Sequence, residues 1–238
     1  LFLNKYLGLL FDQEDCLEKG TKKKMNPKML ASFEDGSKTM IEMAALANAI
    51  GLPPDRVGMN GPVSEVKDLN KTLIPSEDGG VLSGIGRVDY AFGPAPGVFS
   101  IVKSDNQTVI DEMEYLSMGS GPYYTFYRPY HLASIEAPRS VGMAIINKEP
   151  GLQPTTWIAE VIGHAKKDLV KGDKIDGIGG YASYGVTYPV EQSKEFVPLG
   201  LLEGAEVLED IKAGDPISKS AVQLPDNLIN NLRTLQGN

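Results

Sequence analysis

Between Asn26 and Gly51 the apolar positions keep a helical rhythm, and from Met40 to Ile50 small and apolar residues occupy almost every face. Asn26 before Pro27 is a helix start, with asparagine as cap and proline at the first helical position, and Gly51 before Leu-Pro-Pro is a stop. The spacing predicts one central, largely buried helix, broken near Gly36. From Gly58 to Gly97 the pattern gives way to Gly, Pro and Asp, which predicts long loops with short strands between them. Loops that long in a compact domain are often functional. Regular elements return as a strand at 98–102, a helix capped by Asp105 or Asn106 and running to Leu116, a strand at 123–127 and a helix over 131–146. The polar, proline-containing stretch 147–154 reads as a linker, and Asp226 to Leu235 as a short terminal helix.

The region after the linker carries an internal repeat. Residues 167–175 read Lys-Asp-Leu-Val-Lys-Gly-Asp-Lys-Ile, and 42 residues later 209–217 read Glu-Asp-Ile-Lys-Ala-Gly-Asp-Pro-Ile. Each copy has an acid and an aliphatic residue, then Gly-Asp, then isoleucine, which suits a strand-turn-strand corner. Two copies are too few for a solenoid, so a small β module folded about a pseudo-two-fold is expected. The chain is therefore read as α+β, with a first domain over 1–150 and a β domain with a terminal helix over 151–238.

Composition adds exclusions. With 238 residues, 42% of them apolar, the chain is long enough for a substantial core. A net charge of −8 and a pI near 4.9 argue against nucleic acid or an anionic membrane as partner, since binding phosphate needs a basic face. No apolar run reaches the ~18 residues of a membrane span. The single cysteine, Cys16, has no intramolecular disulfide partner, which favours a reducing cytoplasm. The chain starts at Leu1 with an apolar run to Leu10, as though continuing a longer polypeptide.

Two segments carry candidate chemistry. In Phe33-Glu34-Asp35-Gly36-Ser37-Lys38-Thr39-Met40-Ile41-Glu42, Lys38 and Glu42 stand one turn apart on an otherwise apolar helix. A lysine held by a glutamate can donate a proton to a carbonyl oxygen while the carboxylate positions it; the alternative is an ordinary ion pair on an exposed stripe. The second segment packs Tyr123, Tyr124, Tyr127, Arg128, Tyr130 and His131 into nine positions. Strand alternation puts Tyr123, Thr125 and Tyr127 on one face and Tyr124, Phe126 and Arg128 on the other. Tyr127, Arg128 and His131 are candidate substrate-binding residues, Arg128 as a clamp for a carboxylate or phosphate, with a structural role open for His131. Gly119-Ser-Gly121 and Gly177-Ile-Gly179 do not complete a dinucleotide fingerprint, because Tyr124 and Ala182 stand where the third glycine belongs.

The run from Ala31 to Glu42, then Gly121-Pro-Tyr-Tyr-x-x-Tyr-Arg-Pro-Tyr-His-Leu132, then Asp176-Gly-Ile-Gly-Gly-Tyr181 and the repeat, resembles the homoserine-dehydrogenase-like oxidoreductases that end in a SAF domain. In the dehydrogenases proper the matching helix has an aspartate and then a lysine, so Lys38 and Glu42 carry swapped charges. The resemblance implies a central catalytic and dimerisation domain, a β-clip SAF module, NAD or NADP held by a Rossmann domain not in this chain, and a homo-oligomer. It also implies a small polar carbonyl or hydroxy substrate, as in homoserine dehydrogenases or a sugar-phosphate reductoisomerase. A non-catalytic binding or assembly protein using the SAF module and the aromatic strip is the alternative.

Overall fold

The computed structural model describes residues 12–94, 96–130 and 132–236; the apolar run 1–10 and His131 lie outside them. The described residues form α1 (Leu17–Lys23), α2 (Pro27–Glu34), α3 (Ser37–Ile50), α4 (Leu69–Thr72), β1 (Gly97–Lys103), α5 (Gln107–Tyr115), β2 (Tyr123–Pro129) and α6 (Ala133–Gly142). Then follow β3 (Ala159–Ala165), β4 (Ser183–Pro189), β5 (Glu206–Val207), β6 (Val222–Gln223) and α7 (Leu228–Leu235). The strands pair as β1 with β2, β3 with β4 and β5 with β6, all antiparallel, so the fold is α+β. No described helix is long and apolar enough to cross a membrane.

The expected caps are in place. The Asn26 side chain accepts from Lys28 N at 2.9 Å, Asn106 accepts from Thr108 N at 3.0 Å, and Gly51 ends α3 in the left-handed region at φ 73°. At the terminal helix the cap is Asn227 rather than Asp226, accepting from Asn230 N at 2.9 Å. Between Gly58 and Gly97 the short strands expected are replaced by α4 and isolated bridges, Pro54 to Val88, Val63 to Phe92 and Pro75 to Leu82.

The break near Gly36 turns the chain sharply. Gly36 adopts φ 83°, a conformation that costs a residue with a Cβ roughly 1 kcal/mol. Asp35, fully buried at the corner, accepts from Ser37 N at 2.8 Å through Oδ1 and so places a carboxylate at the start of α3, where the helix dipole favours it. Its Oδ2 lies 2.7 Å from Lys166 Nζ, and the two side chains are 0% and 2% exposed. Lys166 also donates to Gly180 O at 2.9 Å. This buried ion pair ties the corner between α2 and α3 to the end of β3 and to the loop before β4. Lys28 Nζ adds a second tie, donating to Asp176 O at 2.9 Å.

Behind the corner, α3 lies on β3 and β4. Gly163 pairs with Gly185 across the two strands, and a Cβ on Gly185 would stand 2.8 Å from Leu199 and 2.9 Å from Val161. That missing side chain lets Gly185 N reach Ser37 Oγ at 2.8 Å, while Thr187 Oγ1 donates to Met40 O at 2.9 Å. At the far end, Asn48 Oδ1 accepts from Ile158 N and Ala159 N at 2.9 and 3.0 Å. The largest apolar core accordingly joins Met40, Met43, Ala44 and Ala47 to Val161, Leu199 and Ile217. It draws on both sides of the 147–154 linker.

The repeat adopts one conformation twice. Leu169 and Ile211 exchange both backbone bonds at 2.9 Å, joining the copies directly. Lys171 N donates to Asp210 Oδ1 at 3.0 Å and, reciprocally, Ala213 N donates to Asp168 Oδ1 at 2.9 Å. Gly172 N bonds Val207 O while Gly214 N bonds Ala165 O, both at 2.8 Å, with the glycines at φ 95° and 90°. Each of these bonds has its counterpart 42 residues away, which is the signature of a local two-fold.

Two outcomes follow from these contacts. Lys166→Met leaves Asp35 charged, buried and unpaired, and is expected to lower stability by about 3–5 kcal/mol in urea unfolding, with Lys166→Met/Asp35→Asn regaining part of it because no bare charge remains. A single-variant loss below ~1 kcal/mol would mean the pair does not hold the corner. The second concerns His164, buried on β3, whose Nδ1 donates to Gly214 O at 2.8 Å and whose Nε2 accepts from Tyr188 OH at 2.9 Å. Burial holds its pKa below the ordinary 6.5, so the folded state resists a proton that the unfolded chain accepts. Its neutral form costs nothing above pH 6.5, and stability declines as pH falls from there toward the depressed folded value. Melting temperatures between pH 7.5 and 5.5 should fall more steeply for the wild type than for His164→Asn.

Candidate functional site

The antiparallel pair of β1 and β2, joined through α5, places Tyr123, Thr125 and Tyr127 on one face, as alternation requires, and this face lines a cleft of about 890 Å³. One wall is α4 with the turn before it, presenting Lys67, Asn70 and Lys71. The other is the loop from Ser117 to Pro122. The walls stand where they do because Phe99 and Ile101 of β1 pack with Leu69, Leu73, Leu82 and Ala91 in a second, smaller core. Gly97 makes room for the Tyr127 ring, which would lie 2.6 Å from a Cβ there, and Tyr127 OH donates to Pro96 O at 3.1 Å.

Polar groups with unused capacity converge on this cleft. Asn70 Nδ2 donates to Tyr123 O at 2.9 Å, which fixes the orientation of its amide and leaves Oδ1 as an acceptor. Asn70 Oδ1 and Thr125 Oγ1 are shielded from water and have no partner among the described residues. A buried polar atom left unpaired costs about 1–3 kcal/mol, which a ligand supplying the missing bond recovers. Lys67 and Lys71 stand beside them, 74% exposed, paired with Glu65 at 2.8 Å and Asp68 at 3.0 Å. Such exposed pairs hold little energy and exchange readily for an anionic ligand. Below them Tyr123 OH donates to Asp78, and Lys103 Nζ sits 3.5 Å from the same carboxylate oxygen and 5.2 Å from the Tyr123 ring centroid. The Tyr123 hydrogen bond, aided by the Lys103 charge, holds the Asp78 carboxyl below its usual range. The arrangement suits a small hydroxylated molecule with a negative group.

Of the residues assigned a catalytic or substrate-binding role from the sequence, Tyr127 lines this cleft, together with Tyr123 and Thr125 of the same strand face. Arg128, on the opposite face of β2, is ion-paired with Glu136. His131 lies outside the described residues. Lys38 and Glu42 are half-buried on α3 and line neither this cleft nor the second large one; Lys38 Nζ stands 5.8 Å from the Phe33 ring centroid. The charged pair buried in this motif is Asp35 with Lys166. Asn70, Lys67 and Lys71 were not found from the sequence, and Thr125 was placed on the right strand face without being given a role; the Lys67 to Lys71 spacing, one helical turn with Asn70 between, was the available signal.

Among the described residues no glycine turn opens onto a free helix N-terminus that could receive a dinucleotide's pyrophosphate. α3 is the described helix with a glycine cap, and its first residue, Ser37, is fully buried with its N–H bound by Asp35. The Gly119-Ser-Gly121 and Gly177-Ile-Gly179 turns lead into strands β2 and β4 instead of helices, so neither offers a helix N-terminus to a pyrophosphate. Among the described residues no group of three or more His, Cys, Asp or Glu side chains is placed to hold a metal ion.

Comparison with curated proteins gives no match. The family description "Oxidoreductase DRL, catalytic domain" matches residues 5–137, which include α1 to α5, both strands of the cleft sheet and the cleft lining. That is more than half of the chain, and it contains every one of the unpartnered cleft atoms just described. The chain belongs to the oxidoreductase DRL catalytic-domain family.

Proposed function

We propose that this chain is the substrate-binding and catalytic portion of an NAD(P)-dependent oxidoreductase acting on a small polar carbonyl or hydroxy compound, of the homoserine-dehydrogenase or sugar-phosphate reductoisomerase kind. The observation that carries the reading is the pair of unpartnered atoms, Asn70 Oδ1 and Thr125 Oγ1, in a cleft flanked by Lys67 and Lys71. A substrate hydroxyl donates to Asn70, a second polar group meets Thr125, and a carboxylate or phosphate displaces Glu65 and Asp68 from the lysines. The cofactor supplies the hydride, and it is held by a Rossmann-type unit outside the described residues, in keeping with the missing pyrophosphate cradle. The SAF character of the 151–238 region and a homo-oligomeric assembly belong to the same reading.

A second placement of the chemistry rests on α3. Lys38, Glu42, Leu46 and Ile50 follow one another at four-residue intervals, and Leu46 and Ile50 are 37% and 51% exposed. Were a hydride donor to work against that stripe, Lys38 would be the proton donor to the alkoxide left on the substrate, with Glu42 positioning it.

Kinetics of the complete enzyme separate the two. With the substrate in the cleft, Asn70→Leu and Thr125→Val should raise KM by about 10-fold each, while Lys38→Met changes turnover little. A ~100-fold fall in kcat for Lys38→Met, with the cleft variants unchanged, would move the reaction to α3. The 238-residue chain by itself should show no micromolar affinity for NAD or NADP in calorimetric titration; tight binding would place a phosphate site within it.

A further inference from the structure

A second large cleft lies wholly beyond the family-matched segment. Its volume is about 760 Å³, within the ~300–1,000 Å³ typical of small-molecule sites. Trp157 ahead of β3, the 190–198 segment after β4 and the inward side of α7 form its walls, and apolar groups including Trp157, Phe196, Leu201 and Leu224 dominate the lining.

The charges around it are already matched. Arg233 is bound to Glu160, Lys194 Nζ lies 2.6 Å from Glu191, and the remaining pair of lining charges, Glu195 and Lys219, is of opposite sign. A charged ligand would therefore be desolvated without gaining a counter-charge. Arg233 also lies 4.6 Å over the Trp157 ring, fixing the indole while leaving it 45% exposed. One polar requirement is unmet. Asn230, only 9% exposed, donates from Nδ2 to Pro225 O at 2.8 Å, so its amide orientation is set and its Oδ1 is an acceptor without a donor among the described residues.

The geometry points to a binding site for a small, net-neutral ligand with a planar apolar body that lies along Trp157 and an N–H or O–H donor that bonds Asn230 Oδ1. The site is separate from the cleft at β2 and does not depend on the reaction assigned there.

Trp157 is the only tryptophan in the chain, so its emission reports on this cleft. Three probes of one shape discriminate: benzamide carries the donor, acetophenone lacks it, and benzoate is charged. Benzamide should shift the emission saturably with Kd at or below about 1 mM, and acetophenone and benzoate should bind at least ~5-fold more weakly, the factor expected of one neutral hydrogen bond. Asn230→Leu should bring benzamide and acetophenone to equal affinity; should that variant not fold, the wild-type comparison stands by itself. Linear, unsaturable quenching by all three probes, equal affinity for them in the wild type, or emission that follows protein concentration and not the probe would overturn the assignment, the last by showing that a second copy covers the cleft.

Discussion

The ion pair between Asp35 and Lys166 is the contact on which the rest of this structure depends. Two charges without solvent exposure are tolerated only when each is neutralised and further bonded, and here Asp35 is held by Ser37 N and Lys166 by Gly180 O. The pair fixes the direction in which α3 leaves the corner at Gly36. That direction lays Met40, Met43, Ala44 and Ala47 on β3 and β4, and the main core follows. The helical first half and the repeat-bearing second half are thereby one packed body at this junction, although a polar linker separates them in sequence.

The glycines and small residues along α3 and β4 serve the same end. The paired Gly163 and Gly185 leave room for Leu202 on one strand and for Leu199 and Val161 on the other, while Ser37 Oγ accepts from Gly185 N and Thr187 Oγ1 donates to Met40 O to join β4 to α3. The corners of the repeat work differently. Each uses a glycine in the left-handed region and an aspartate that caps the other copy, so neither corner is complete without its mate. Duplication here supplies mutual capping.

The cleft at β2 stands on a smaller core of its own, with α4 and the 117–122 loop as walls. Its chemistry comes from what folding leaves unsatisfied: Asn70 and Thr125 are positioned by backbone and strand, yet each keeps one capacity unused. At the buried corner the polar side chains are joined to one another, whereas beside this cleft Asn70 Oδ1 and Thr125 Oγ1 have no partner among the described residues. This difference between a structural and a binding role is a matter of partners, since the residue types overlap.

What the sequence determined by itself was local. The caps at Asn26, Asn106 and Gly51, the break at Gly36, the alternation along β2 and the twinned corners all follow from backbone sterics, side-chain reach over a few residues and strand or helix period. The same rules placed Tyr127 on the cleft face. They could not find Lys166 as the partner of Asp35, 131 positions away, nor bring Asn70 against Tyr123, because such meetings are decided by how whole elements pack. Charge spacing on α3 pointed to Lys38 and Glu42 for a physical reason: period tells which residues share a stripe but not how deeply the stripe is buried. Tertiary structure alone decided that the deep charge on this motif is Asp35, two residues before the helix begins.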